Sequence, residues 1–523
     1  MTNALLRALK DSSLYNHPVD RFEVIETHIS WVLLTGLYAY KLKKPVDFGF
    51  VNFSTLERRR IFCEEELRLN RRLAPTWYLD VVPITGTTEY PRWGGPGPAI
   101  EYAVKMKQFP HDARLDLLLA RGALTPERLD AEVSAIADFH ARAAVATMET
   151  PFGEPERVAR RVQENLATIV EHPADPGDLP LVERLEGWSL AEHAALMPVF
   201  SARKRDGFIR ECHGDLHLGN MAWVDDEPVI FDCIEFNDDL RWIDVMSEVA
   251  FLVMDLRRRG AQILARRALN AYVEATGDYA GLRVMSYYHA YRALVRAKVA
   301  CLRLSQGEFD ASERAATRRE VRGYLELAAQ SPTVERPTLI VTHGVSGSGK
   351  TYLAQAVVET LGAVRIRSDV ERKRLVGLSS LDRAGAEPGA GIYTDDLTER
   401  TYARLAELAG AVLDAGFPVV VDAACLKRGQ RDRLRAAARA RSLPCVMLAV
   451  RAPESVVRAR IVERARAGRD ASDADLAVLD GQLRGIDALT DEELRASVTV
   501  DTSRPVDPTE LAAAIRSRAD VGG

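Results

Sequence analysis

The chain lacks long apolar runs, paired cysteines and a strong charge of either sign. Its 523 residues hold six scattered cysteines (Cys63, Cys212, Cys233, Cys301, Cys425, Cys445) with no C-x-x-C pair. That usage excludes a disulfide framework and a zinc cluster. It predicts reduced, mostly buried thiols, as in the cytoplasm. The net charge of -5 argues against a strongly basic nucleic-acid binder, although a local basic patch stays compatible with it. No segment approaches the roughly 18 apolar residues of a membrane span. The best candidate, 245–256, is interrupted by Glu248 and Asp255. The N-terminus becomes charged at Arg7 and Lys10, too soon for a secretory signal. No internal repeat is present. A hydrophobic fraction of 47% and a charged fraction of 28% are those of ordinary globular protein. The length exceeds what one core fills, and about three domains would be typical.

Against this plain background stand two separate phosphate-handling signatures. Gly344-Val345-Ser346-Gly347-Ser348-Gly349-Lys350-Thr351 fits G-x-x-x-x-G-K-[ST] and follows the apolar run Thr338-Leu339-Ile340-Val341. Such a loop points successive backbone N–H groups at one phosphate, and the following helix adds its positive end. Gly344, Gly347 and Gly349 permit the tight path. Gly344, Gly347, Ser348, Gly349, Lys350 and Thr351 are the candidate nucleotide contacts, with Lys350 on the β/γ-phosphates and Thr351 a Mg²⁺ ligand. Asp369 and Arg372 follow the strand-like Val364–Ile366. Asp369 is a candidate base for an acceptor hydroxyl, and Arg372 a contact to anionic substrate or transferring phosphoryl; the competing reading makes Asp369 a helix N-cap. Asp422 ends the buried run Val419-Val420-Val421 and is placed to hold the metal. Arg460 and Arg464, one turn apart, suit a lid over the phosphates, or else a salt-bridged surface helix.

The second signature is His213-Gly214-Asp215-Leu216-His217-Leu218-Gly219-Asn220, followed by Val229-Ile230-Phe231-Asp232. In H-x-D-x-x-x-x-N plus a later Asp, the first acid meets an acceptor hydroxyl, and the Asn and second Asp hold Mg²⁺. Asp215, Asn220 and Asp232 fit those intervals. A metal cluster of His213, Asp215 and His217 is the rival chemistry.

The coarse order of elements supports both readings. Residues 29–36 and 37–43 read as strands around a turn at Gly36. Leu56 to Leu73 reads as a helix with Phe62, Glu66, Leu69 and Leu73 on one face. Residues 111–330 are mostly helical, apart from short strands around 208–236. Residues 331–337 form the best linker. Strands then alternate with helices at Leu339–Thr342, Val364–Ile366, Val419–Asp422 and Cys445–Val450, the rhythm of a parallel sheet. The Arg/Ala-rich stretch 431–441 reads as a solvated helix face. The expected fold class is a two-lobed α+β kinase-like domain (1–330), a linker (331–337), and an α/β P-loop kinase domain with a parallel sheet (338–523).

The C-terminal part resembles P-loop kinases of small hydroxyl acceptors, especially the polynucleotide-kinase-type branch with zeta toxins and chloramphenicol phosphotransferase. That resemblance implies Asp369 as base and Arg372 as substrate or phosphate contact. Asp470-Ala471-Ser472-Asp473 and Gln482 are similar to features of bacterial kinases in this branch and carry no assigned role. Residues 20–330 resemble the aminoglycoside phosphotransferase and choline-kinase-like family. This implies a strand lysine and a helix glutamate: Lys43 is favoured, Lys41 is the fallback, and Glu66 is the partner. It also implies that Asp244 anchors the catalytic loop. No G-x-G-x-x-G precedes the lysine, and Cys233-Ile234-Glu235 replaces Phe-Gly after Asp232, with Glu235 a further candidate metal or water ligand. The whole chain resembles bacterial bifunctional aminoglycoside phosphotransferase/ATP-binding proteins. The resemblance implies ATP and Mg²⁺ as cofactors, a small-molecule acceptor and no membrane partner. A 5′-hydroxyl kinase acting on nucleic acid, and an ATP-sensing protein with one inactive domain, are the alternatives.

Overall fold

The computed structural model describes residues 3–49, 51–306, 309–379, 382, 394–467, 472 and 474–521. Two compact units divide the chain: 1–171 with 186–256, and 172–185 with 257–523. The division falls after Leu256, upstream of the linker expected at 331–337. Among the described residues no helix is long and apolar enough to cross a membrane.

The first unit opens with a six-stranded antiparallel sheet. Its strands are β1 (Glu23–Glu26), β2 (Ser30–Leu34), β3 (Tyr38–Lys43), β4 (Tyr78–Gly86), β5 (Pro91–Trp93) and β6 (Ala99–Lys107), ordered β1-β2-β3-β6-β4-β5. Gly36, at φ 92°, makes the β2–β3 turn. Alternation along β3 sends Tyr40 and Leu42 into an apolar cluster with Trp31, Leu33, Ile84 and Ala103. Lys41 and Lys43 therefore share the other face. There they meet the helix Leu56–Asn70, whose first turn is capped by Thr55 accepting from the Arg58 N–H.

Beyond the sheet come two short antiparallel pairs. They are β7 (Ile209–Glu211) with β10 (Trp242–Asp244), and β8 (Met221–Val224) with β9 (Glu227–Ile230). The loop 212–220 runs from β7 to β8, and Asp232 follows β9 directly. The helix Val245–Arg258 is buried from Val245 through Leu256.

The second unit is built on five parallel strands: β11 (Leu339–His343), β12 (Val364–Arg367), β13 (Val419–Asp422), β14 (Cys445–Arg451) and β15 (Ser497–Asp501). Their order is β12-β13-β11-β14-β15. Every residue of β13 is buried, as continuous apolar strands of a doubly covered sheet are. The helices Lys350–Leu361 and Pro508–Val521 share a core with β11, β13 and β14 through Leu353, Val357, Leu511 and Ile515. The helix Gln262–Thr276 packs along the edge strand β12. There Asn270 accepts from the Arg365 N–H at 2.7 Å, and Glu274 pairs with Arg365 at 3.0 Å. The helix Arg428–Arg439 corrects one expectation. Arg431 is completely buried against Glu493 at 2.7 Å, so that face is not wholly solvated.

Candidate functional site

In the first unit the sequence-predicted residues converge. Asn220 Nδ2 donates to both the carbonyl and a carboxylate oxygen of Asp215, each at 3.0 Å. This fixes the two motif ends relative to one another. Asp232 sits at φ 68°, a left-handed conformation rare outside glycine, and its N–H donates to the Tyr78 hydroxyl at 3.2 Å. Its carboxylate meets Lys41 Nζ at 2.5 Å.

The two strand lysines part company here. Lys41 bridges Asp232 and Glu66, the latter at 2.9 Å. Lys43 is enclosed, 1% exposed, between Glu66 at 2.7 Å and Glu235. The favoured candidate Lys43 is therefore internal, and the fallback Lys41 reaches the Asp232 side. Glu235 is also spoken for, and it faces Lys43 rather than a metal position. Burial would raise the Glu66 carboxyl, but Lys41 and Lys43 hold it below its ordinary value. Burial raises Glu235, with Lys43 opposing.

The loop backbone is held from beneath. Glu248 accepts from the N–H groups of His213 (3.0 Å) and Gly214, 2.6 Å, and pairs with His140 at 2.9 Å. Asp255 accepts from the Leu218 N–H at 3.1 Å. The anchor expected at Asp244 is thus Glu248, one helical turn on. Asp244 pairs with Arg203 at 2.6 Å instead. Burial raises the Glu248 carboxyl, yet His140, His213 and the N–H donors bring it down to about 2.

These contacts dispose of the His213/Asp215/His217 metal cluster. His213 Nε2 faces the Phe231 carbonyl at 2.8 Å, and its Nδ1 accepts from the Asp215 N–H at 3.2 Å. His217 Nδ1 accepts from the Gly219 N–H at 3.0 Å. His213 keeps no free lone pair, so it cannot be a ligand. Among the described residues the group at metal-ligand spacing is His140, Cys212 and Glu248. Glu248 there is already committed to the loop.

In the second unit one cavity of about 560 Å³ collects the expected side chains. Its lining includes Gly347, Gly349, Lys350, Thr351, Asp369, Arg372, Asp422, Arg460 and Arg464. The sheet order places β13, and so Asp422, beside the P-loop strand β11, with β12 and Asp369 one strand further out. Asp369 is not an N-cap: Arg367 holds that position, without a side-chain cap bond. Burial, aided by Arg464, lowers the Lys350 ammonium, while Asp422 and Asp369 oppose it. Both acids therefore lie within electrostatic reach of Lys350.

The loop is shaped for a phosphate. Gly347 and Gly349 have φ of 79° and 98°. A Cβ at Gly347 would lie 2.8 Å from the Val457 carbonyl oxygen, and one at Gly349 2.9 Å from Thr502 Oγ1. Only glycine gives this close path. Ser348 and Gly344 do not line the cavity; the Ser348 side chain is buried, and its N–H donates to the Val345 carbonyl at 3.2 Å. Arg460 is fixed by Thr502, through Oγ1 at 2.9 Å and the carbonyl at 2.7 Å, and Arg464 donates to the Ala474 carbonyl at 2.6 Å. Both stand on the helix Glu454–Ala467, which also carries the surface ion pairs Arg458–Glu454 at 2.8 Å and Arg458–Asp480. Arg372 is buried and donates to Thr398 Oγ1 at 2.9 Å. Residues 470, 471 and 473 of the Asp-Ala-Ser-Asp segment lie outside the described residues.

Residues 111–285 match the family described as "Phosphotransferase enzyme family", and residues 339–489 match the one described as "AAA domain". An uncharacterized protein of Mycobacterium tuberculosis strain H37Rv is 32% identical over 468 residues, covering 88% of this chain and 91% of that protein. A Mycobacterium bovis protein matches to the same extent. The chain belongs to their family. It carries two kinase-type domains, a phosphotransferase-family domain and a P-loop domain. Solved structures similar to parts of it include a gluconokinase from Sinorhizobium meliloti, 26% identical, with 36% of this chain and 94% of that one covered and a TM-score of 0.26. An ethanolamine kinase from Plasmodium vivax is 10% identical, with 61% and 84% covered and a TM-score of 0.38.

Sequence reasoning missed Glu248, Asp255, Tyr78 and Thr502. The first two carried a readable signal. Two acids seven residues apart on an otherwise apolar helix share one face and need polar partners.

Proposed function

We propose that the chain is a two-site Mg-ATP-dependent phosphotransferase that acts on hydroxyl groups of small molecules, with one site in each kinase-type domain. The observation that carries this reading is the single cavity where Lys350, Thr351, Asp369, Asp422 and the two lid arginines meet. Its volume of about 560 Å³ is that of an ordinary small-ligand pocket.

In the C-terminal site the backbone of 347–351 and Lys350 would hold the nucleotide phosphates, and Thr351 and Asp422 the Mg²⁺. Bound Mg-ATP supplies the transferable phosphoryl group. Asp369 orients the acceptor hydroxyl and takes its proton. Arg372 binds an anionic part of the acceptor or the transferring group, and Arg460 and Arg464 spread the charge that develops.

In the N-terminal site Asn220 and Asp232 would hold the Mg²⁺. Lys41, kept in place by Glu66, would meet the phosphates. Asp215, steadied by Asn220, faces the acceptor hydroxyl. All six cysteines are free and five are buried, which supports a reducing compartment and the cytoplasm as the place of action.

The test is a transfer screen with labelled ATP over sugars, aminoglycosides, nucleosides and oligonucleotides. It is run with the parent chain, Asp215→Asn, Asp369→Ala and the double variant. Labelling of a small molecule that one single variant abolishes supports the reading and assigns the site. Label appearing only on oligonucleotides, or persisting in the double variant, overturns it.

A further inference from the structure

The P-loop in the second unit is bonded, through one residue, to a helix that no catalytic role has absorbed. The helix Leu476–Arg484 lies against the lid helix Glu454–Ala467. Leu479 packs with Val457 and Ile461 and with Val345 of the loop, and Arg458 pairs with Asp480 at 2.5 Å. From this helix Gln482 reaches Ser346, the third residue of the loop. The Ser346 N–H donates to Gln482 Oε1 at 2.7 Å, and Gln482 Nε2 donates to Ser346 Oγ at 3.2 Å. Ser346 and Gln482 both line the cavity that holds Lys350.

The direction of these bonds has a chemical consequence. A backbone N–H only donates, so the facing carboxamide atom must be the oxygen, and the amide nitrogen is left for Ser346 Oγ. A hydroxyl that accepts from an amide still has its own proton to give. With Nε2 occupying one lone-pair side, that proton is directed away from Gln482. The loop thus gives up one N–H to the protein and gains an aimed O–H donor. Ser346 stands on the arm of the loop remote from the helix start at Lys350, where N–H groups gather around the inner phosphates. Ser346 lines the same cavity as Lys350, so a donor on this arm is available to a phosphate beyond the inner ones.

We propose that Gln482 is a positioning residue that aims the Ser346 hydroxyl at the terminal phosphate of a bound nucleoside triphosphate, so that the C-terminal site tells triphosphate from diphosphate. This rests on the reading of that cavity as a nucleotide site. The prediction differs from a general bracing role. A brace would matter equally for both nucleotides; an aimed donor matters only where a third phosphate is present.

The test uses the full chain titrated calorimetrically with Mg²⁺ and either AMP-PNP or ADP, counting only the binding event that Lys350→Ala removes. Ser346→Ala should weaken AMP-PNP about tenfold, the worth of one hydrogen bond to a charged group, and leave ADP within about twofold. Gln482→Ala should do the same in smaller degree, and adding it to Ser346→Ala should weaken binding no further. Gln482→Glu should be the most damaging to AMP-PNP, because a carboxylate captures the Ser346 proton and repels the terminal phosphate. Equal losses for AMP-PNP and ADP, or additive losses in the double variant, overturn the proposal while leaving the nucleotide site standing. The absence of any Lys350-dependent event in the parent overturns both. Ser346→Ala removes only an oxygen, so it keeps the test decisive should a Gln482 variant unfold.

Discussion

Lys41 and Lys43 lie two residues apart on one strand face, and nothing in their local sequence separates them. The structure does, through what each meets. Lys43 lies between Glu66 and Glu235 in the interior, whereas Lys41 spans Glu66 and Asp232. Lys43→Met would leave the buried Glu235 carboxylate without its cation and Glu66 with Lys41 alone, and should destabilise the first unit by about 3–5 kcal/mol, read by urea unfolding. Lys41→Met leaves Glu66 its second partner. It should spare most of the stability and weaken nucleotide binding at the first site at least tenfold, about 1.4 kcal/mol or more. The reverse pattern would restore Lys43 to the nucleotide. Asp215, Asn220 and Asp232 were legible because their spacing in one short segment is itself the signal. Glu248 and Asp255 announced by their seven-residue spacing that they needed polar partners, but nothing local named the loop N–H groups that supply them.

A second prediction at this scale concerns His289. Burial, then the neighbouring Arg257, push its imidazole down to about 3 from 6.5. The folded chain keeps it neutral while the unfolded chain takes up a proton near 6.5. Its contribution to stability is therefore complete above pH 6.5 and lost as pH falls toward 3, by up to about 1.4 kcal/mol per pH unit. Melting temperatures between pH 7 and pH 5 should decline more steeply for the parent than for His289→Asn. Parallel declines would contradict it.

At the scale of elements the P-loop, its strand and its helix were readable, since a motif, an apolar strand and a helix start coincide there. The strand β15 was not. Ser497-Val498-Thr499-Val500-Asp501 is short and half polar, and it pairs only along one edge, with β14. Its worth lies just beyond its end, where Thr502 Oγ1 donates to the Ser348 carbonyl at 2.6 Å and accepts from Arg460. The loop is thus held between the end of β15 and the helix Glu454–Ala467. Gly347 marks the tightest approach of that helix. Gly347→Ala combines an unfavourable φ, about 1–2 kcal/mol, with a clash against Val457, and should weaken nucleotide binding at this site at least tenfold. Gly429→Ala, with open space around its Cβ, is the control and should change nothing. Equal effects of the two substitutions would remove the packing argument.

At the scale of the whole molecule the sequence announced two phosphate signatures, and the fold gathers the candidate residues of each within its own unit. The boundary was less legible. Residues 331–337 look like a linker by composition, but contacts group 257–330 with the C-terminal sheet. The interactions responsible, such as Asn270 and Glu274 on β12, are long-range in sequence and leave no local pattern. The central claim is that the two sites bind nucleotide independently. Calorimetric titration of the full chain with Mg²⁺ and AMP-PNP tests it most directly. Two binding events should appear in the parent, with Lys350→Ala removing one and Asp232→Asn the other. A single saturable site in the parent, or loss of both events in either variant, would contradict the account.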